Sequence, residues 1–277
     1  MQLERIAIII GKTLAVVVIL LWSLFPIFFI ISSSFKPGGD IFAVPPKWLF
    51  LPTFDHYVTL WRSWTIFFQG LWNSTIVTIG AASIAVIAST CAGYVYSRSS
   101  SRFLNTSLVF LIAVRLIPPI VVTLPLFPII NNLGLADTHF VLSVLYATFF
   151  VSLGTVLMRT FIDQIPRELD EAASMDGATL PVILWKVITP LAAPGILAVA
   201  VFVVVFAWNE FLFAFIFTST RAKTAPLVIS EMIGSIEGVD WGVLFAASTV
   251  QLLPVLIFVM AMNRYLVAGL TSGATKG

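Results

Sequence analysis

Six long apolar runs, separated by polar or proline-rich intervals, organise this chain. A helix needs about 20 mostly apolar residues to cross a bilayer, and runs of that order lie at about 13–35, 71–96, 104–130, 140–158, 195–217 and 243–262. Arg5 and Lys12 precede the first run, so a cleaved signal peptide competes with a first span. The run exceeds the usual apolar core of a signal peptide, about 7–15 residues, and lacks a clear A-x-A site, so an uncleaved span is expected. Residues 36–70 hold Pro37, Gly38, Gly39, Pro45, Pro46 and Pro52 and read as an ordered external loop, with a short helix near Tyr57–Trp64. The third run carries Pro118, Pro119, Pro125 and Pro128. Proline removes a backbone donor and clashes with the preceding turn, so this span must kink or break.

Composition agrees with that pattern. Hydrophobic residues make up 59% of the 277 and charged ones 10%, and the mean hydropathy is +1.04. A soluble domain carries about 25% charged residues, so lipid must cover surface that a water-soluble fold of this length could not hide. The expectation is an all-α integral membrane protein with six transmembrane helices, forming one transmembrane domain over 1–277. A net charge of +2 without a basic tract gives no reason to expect a nucleic-acid partner. The single cysteine, Cys91, excludes an intramolecular disulfide and reads as a small packed hydrophobe. With the N-terminus inside, nine basic residues fall on the inner side (Arg5, Lys12, Arg98, Arg102, Arg159, Arg167, Lys186, Arg264, Lys276) and five outside (Lys36, Lys47, Arg62, Arg221, Lys223). The positive-inside bias therefore puts both termini in the cytoplasm.

On that orientation 159–194 is a cytoplasmic loop, and its sequence is specific. Pro166 suits a first helical turn, and Glu168, Asp170 and Glu171 place negative charge at the positive end of a helix. Ala172 and Ala173 favour helix and leave a thin surface that a partner can approach. Gly177 is placed to end the helix in a left-handed conformation. Thr179 can cap a second helix with Pro181 in its first turn and Pro190 as its stop. Physics alone leaves two readings open, a solvated connector or a docking element, although a plain connector could be far shorter.

Glu171-Ala172-Ala173, three residues, Gly177 and later Pro190 resemble the EAA loop of binding-protein-dependent ABC importer permeases. Val187 and Thr189 depart from the isoleucine and leucine of that pattern, so its tail is only partly met. Ala207-Trp208-Asn209-Glu210-Phe211-Leu212 and the tail Gly269–Gly277 are similar to segments of the carbohydrate-type permeases, such as those of the maltose system. The resemblance implies a type I ABC importer permease fold in a bacterial inner membrane. It implies import of a sugar (an oligosaccharide, glycoside or polyol) as the function, with no enzymatic activity in this chain. Implied partners are a second, homologous permease subunit, two cytoplasmic ATPase subunits that hold the ATP and Mg, and an extracytoplasmic sugar-binding protein. By the same resemblance Glu168, Glu171, Ala172, Ala173, Met175, Asp176, Gly177 and Ala178 dock on the ATPase, and Thr271, Ser272, Gly273 and Lys276 face it. The intervals 36–70 and 218–242 become candidate contacts for the binding protein.

Arg115 and Glu210 are ionisable groups inside predicted spans. A charge near the bilayer centre costs at least about 2.5–3.5 kcal/mol, so each should face a cavity or a partner. They are expected to pair, either beside a translocation path or as a lock on the fold. Trp208 and Asn209 offer an aromatic face and an amide suited to a sugar, or simply pack. Gly11-Lys12-Thr13 mimics the end of a phosphate-binding loop, but Ile6 stands where its first glycine is required. His56 and His139 are far apart, and nothing resembles a metal site or a catalytic triad. A secondary transporter would need ion-coupling carboxylates or broken helices in paired repeats; Glu210 alone qualifies. An amino-acid or peptide permease of the same class is the nearer alternative.

Overall fold

A computed structural model describes the backbone of residues 2–99, 101–234 and 238–271, and side chains over the same ranges except 2–7, 105 and 263–271. Ser272, Gly273 and Lys276 lie outside the described residues, and Thr271 is described only as the last residue of a helix. The helices are α1 (Gln2–Ser34), α2 (Asp55–Ser63), α3 (Thr65–Arg98), α4 (Arg102–Val114), α5 (Pro119–Asn132), α6 (His139–Ile162), α7 (Glu168–Met175), α8 (Leu180–Leu191), α9 (Ala193–Asn209), α10 (Leu212–Phe217), α11 (Ala225–Ile233) and α12 (Trp241–Thr271).

Among the described residues four stretches are single helices long and apolar enough to cross a membrane: Ile8–Ser34, Thr65–Arg98, His139–Ile162 and Trp241–Met262. Two more are bent pairs, α4 with α5 at 92° and α8 with α9 at 82°. The first bend falls before Pro119, as the proline cluster predicts: the chain leaves helix at Arg115–Pro118 and Pro119 opens α5. The fifth run differs from its prediction. Helix stops at Asn209, Glu210 is extended, and α10 restarts at Leu212.

The chain divides into two compact units, residues 1–67 with 229–253, and residues 68–228 with 254–277. In the first unit, Lys36 is buried and its ammonium lies 5.4–5.9 Å from the ring centroids of Phe29, Trp48 and Phe50. The His56 ring bonds the Lys36 carbonyl at 2.8 Å, and Ser34 meets the Tyr57 hydroxyl at 2.7 Å. The interval that follows α1 is thus ordered around aromatic residues.

In the second unit α3, α6 and α9 share a core that includes Val77, Ala85, Leu142, Phe150, Met158 and Val199. Small residues let the backbones of α3 and α6 approach: a Cβ on Gly93 would stand 2.6 Å from the Met158 Cβ.

At one end of this unit Asp137 ties the α5–α6 turn to the segment after α10. Its left-handed backbone (φ 57°) is one that Asp tolerates. Its carboxylate accepts from the backbone N–H of Ser219, Thr220, Arg221 and Ala222 and from the Thr220 hydroxyl at 2.9 Å. Asn73 holds the same segment through the Arg221 and Lys223 carbonyls, while its own carbonyl meets His139 at 2.8 Å. Partial burial pushes the Asp137 carboxyl up, but the N–H groups of Arg221, Ala222 and Ser219 and the Thr220 hydroxyl outweigh it and hold the carboxyl well below the usual range. Such a group stabilises the fold above its unfolded value of about 3.9 and loses that contribution as pH falls below it. Asp137→Asn keeps the turn but lowers stability at pH 7 by about 2 kcal/mol. In detergent-phase unfolding curves the gap between the two proteins narrows below about pH 4. An equal gap at pH 7 and pH 3 would contradict this role.

Candidate functional site

The segment between α6 and α9 is built as the residue pattern predicts at its front and otherwise at its back. Pro166 lies just before α7 rather than in its first turn, because helix begins only at Glu168, whereas Glu168, Asp170 and Glu171 do occupy that turn. Gly177 has φ +81°. Its N–H bonds the Ser174 carbonyl and the Ala178 N–H bonds the Ala173 carbonyl, each at 3.0 Å, so two of the last carbonyls of α7 are satisfied by a Schellman turn.

Thr179 is extended before α8, yet its side chain makes no capping bond. Pro190 does not end α8 outright. It follows a π-helical stretch over Ile183–Ile188, and the Thr189 hydroxyl bonds the Leu184 carbonyl at 2.8 Å. Proline has no N–H for the carbonyl four residues back, and widening the preceding turn accommodates its ring. The sharp turn falls at Ala192, with Pro194 in the first turn of α9.

α7 exposes one face and spends the other on anchorage. Glu168, Glu171, Ala172 and Met175 follow i, i+3, i+4, i+7 spacing and are all exposed, Met175 at 89%. Asp176 and Gly177 are exposed beyond them, whereas Ala173 and Ala178 pack against the core. Two carboxylates thus flank a thin alanine and a protruding, pliable methionine.

On the inner face Asp170 is clamped to the end of α3. Arg98 Nη2 and Nε donate to one carboxylate oxygen at 2.9 and 3.1 Å, and the Tyr94 hydroxyl donates to the other at 2.8 Å. Arg98 also reaches the carbonyls of Ile165 and Ile162, and Arg167 bonds the Ser97 carbonyl at 3.0 Å. Both side chains of the Arg98–Asp170 pair are only 14% exposed. Motif reading misses this anchor, counting Arg98 as a basic loop residue and Asp170 as a charge for the helix end. The available signal is phase: Asp170 and Ala173, three apart, share the face opposite the exposed stripe.

The intramembrane candidates separate. Glu210 does not pair with Arg115. Its carboxylate accepts the N–H of Phe213 at 2.9 Å and of Ala214 at 3.4 Å, capping the start of α10. The guanidinium of Arg115 lies 5.2 and 5.6 Å from the ring centroids of Phe149 and Phe150. The expected pair fails because the break at Glu210 frees amide donors that the carboxylate satisfies locally. Trp208 is buried, 6% exposed, with its ring packed inside. Asn209 is exposed, and its amide donates to the Val205 carbonyl at 2.7 Å. Among the described residues no three His, Cys, Asp or Glu side chains gather into a metal site.

Residues 84–272 match the model of a family described as the binding-protein-dependent transport system inner membrane component. The chain is 35% identical to the trehalose transport system permease protein SugB of Mycobacterium tuberculosis, over 92% of this chain and 93% of that one. It is 31% identical to the trehalose/maltose transport system permease protein MalG of Thermococcus litoralis, covering 99% and 98%. Its fold is similar to that of a chain in the crystal structure of a bacterial ABC transporter that imports the acidic polysaccharide alginate. The TM-score there is 0.79, with 95% and 97% coverage at 23% identity.

Proposed function

Because the chain belongs to the family of binding-protein-dependent transport system inner membrane components, we propose that it is one permease subunit of an ATP-driven sugar importer and that α7 is its coupling element. The observation that carries this reading is the division of labour on α7, an exposed stripe at Glu168, Glu171, Ala172 and Met175 over an inner face locked to α3 through Asp170. A loop that only connected two spans would need no such lock. A loop that transmits force does, because a compliant joint would absorb the displacement. The sugar class is supported by the trehalose and trehalose/maltose permeases among its relatives.

In this reading the loop faces the cytoplasm and the whole chain acts as one permease domain. Two ATPase subunits, which hold the ATP and Mg, take the stripe into a groove. Asp176 and Gly177 line its edge. As the ATPases close, α7 moves α3 through the Arg98–Asp170 pair and tilts the attached helices between inward-open and outward-open arrangements. A sugar-binding protein delivers cargo to 36–70 and 218–242. A second permease subunit completes the path, where the exposed Asn209 amide is a candidate cargo contact.

Gentle solubilisation of the tagged chain tests this, with wild type beside Gly177→Pro. Proline cannot adopt φ +81° and removes the N–H bonded to Ser174, costing the helix end about 3 kcal/mol. Wild type brings down an ATPase and a second permease, and the variant loses the ATPase while keeping the permease. A wild-type chain that purifies alone and transports solute on an ion gradient would overturn the reading.

A further inference from the structure

A cavity of about 540 Å³ lies among α3, α4, α5 and α6, and its walls are apolar apart from Arg115 and the hydroxyls of Thr148 and Ser152. Phe110, Val114 and Val122 form part of its wall and are exposed. Arg115 stands where α4 breaks before α5, about 20 Å along the helix from Arg102. Its guanidinium rests near the Phe149 and Phe150 rings, and among the described residues it has no ion-pair partner. Glu210, the acidic group of the neighbouring span, is already engaged by backbone amides.

We propose that this cavity is the seat of a membrane-spanning helix of the second permease subunit, which presents a carboxylate to Arg115. The proposal rests on the importer reading above. Charge and polarity together select the occupant. Lipid tails would cover the apolar wall but leave the cation unpaired in hydrocarbon, an arrangement that membrane helices avoid. A sugar would bring many hydroxyls to walls that offer few hydrogen-bond partners. An apolar helix with a single Asp or Glu satisfies both features: its side chains fill the cavity and its carboxylate meets the guanidinium. The aromatic rings beside Arg115 hold the planar fork in place, so less freedom is lost when the pair forms.

The test places p-benzoylphenylalanine at Phe110 in the assembled transporter and irradiates native membranes. The expected product is a covalent adduct between this chain and the second permease, mapping to a helix that carries an Asp or Glu. Adducts with lipid alone, adducts with sugar, or no adduct overturn the proposal. In a second arm Arg115→Glu lowers recovery of the second permease by about tenfold or more, and changing the mapped carboxylate to Arg restores it. Failure of that exchange to restore assembly also overturns the pairing. Wild-type assembly and ATP-driven uptake, measured alongside, separate the two readings. If both persist while Phe110 yields only lipid adducts, the importer stands and this seat does not. If no second permease accompanies wild type, both fall.

Discussion

Asp170→Ala is expected to destabilise the protein by about 3–5 kcal/mol, the cost of leaving a largely buried charge without its partner. Arg98 would keep the Ile162 and Ile165 carbonyls, which places the loss near the lower end of that range. Thermal unfolding in detergent measures it directly. The double variant Arg98→Met with Asp170→Leu removes both charges, and most of the stability returns because a buried ion pair is no better than well-packed apolar groups. Coupling should not return with it. An apolar contact between α7 and α3 can slide, whereas the carboxylate held by Arg98 and Tyr94 fixes both direction and register. The double variant should therefore hydrolyse ATP in the complex while importing little. A single variant as stable as wild type would show that the lock is not structural. A double variant with full uptake would show that it does not transmit motion.

Ala172→Trp has the second large effect, and of the opposite kind. Its side chain points to solvent, so folding should change by no more than about 0.5 kcal/mol. Uptake should nevertheless be lost, because an indole on the thin part of the stripe holds the partner surface away from Glu171 and Met175. Ala173→Trp provides the contrast. Ala173 packs against the core, so that variant loses stability by about 1–3 kcal/mol through overpacking. Transport assays paired with melting curves distinguish the two. Normal uptake by Ala172→Trp would remove the stripe as the docking face.

Much of the architecture was legible in the residue order. Apolar run length marks spans wherever they occur, because the bilayer imposes its thickness on any chain. Pro118 and Pro119 announce the break of the third run, since a missing N–H and a steric clash act locally. Gly177 announces a left-handed turn for the same local reason, and α7 ends there. The second half of the loop was less legible. Pro181 and Pro190 read as a start and a stop, but buried Ile183, Leu184 and Ile188 hold the segment in one π-widened helix that turns only at Ala192.

What the sequence by itself determined was the class of molecule, the four unbroken spans, the proline break of the third run and the exposed motif of α7, because each follows from local composition and backbone sterics. Only the tertiary structure decided which charges meet. Arg98 finds Asp170 across 72 residues of chain, Glu210 turns to the amides freed by its own helix break, and Arg115 is left against aromatic rings at the wall of a cavity. Ionic partners are chosen by the positions of helices that pack through apolar contacts, and a linear order of residues does not contain those positions.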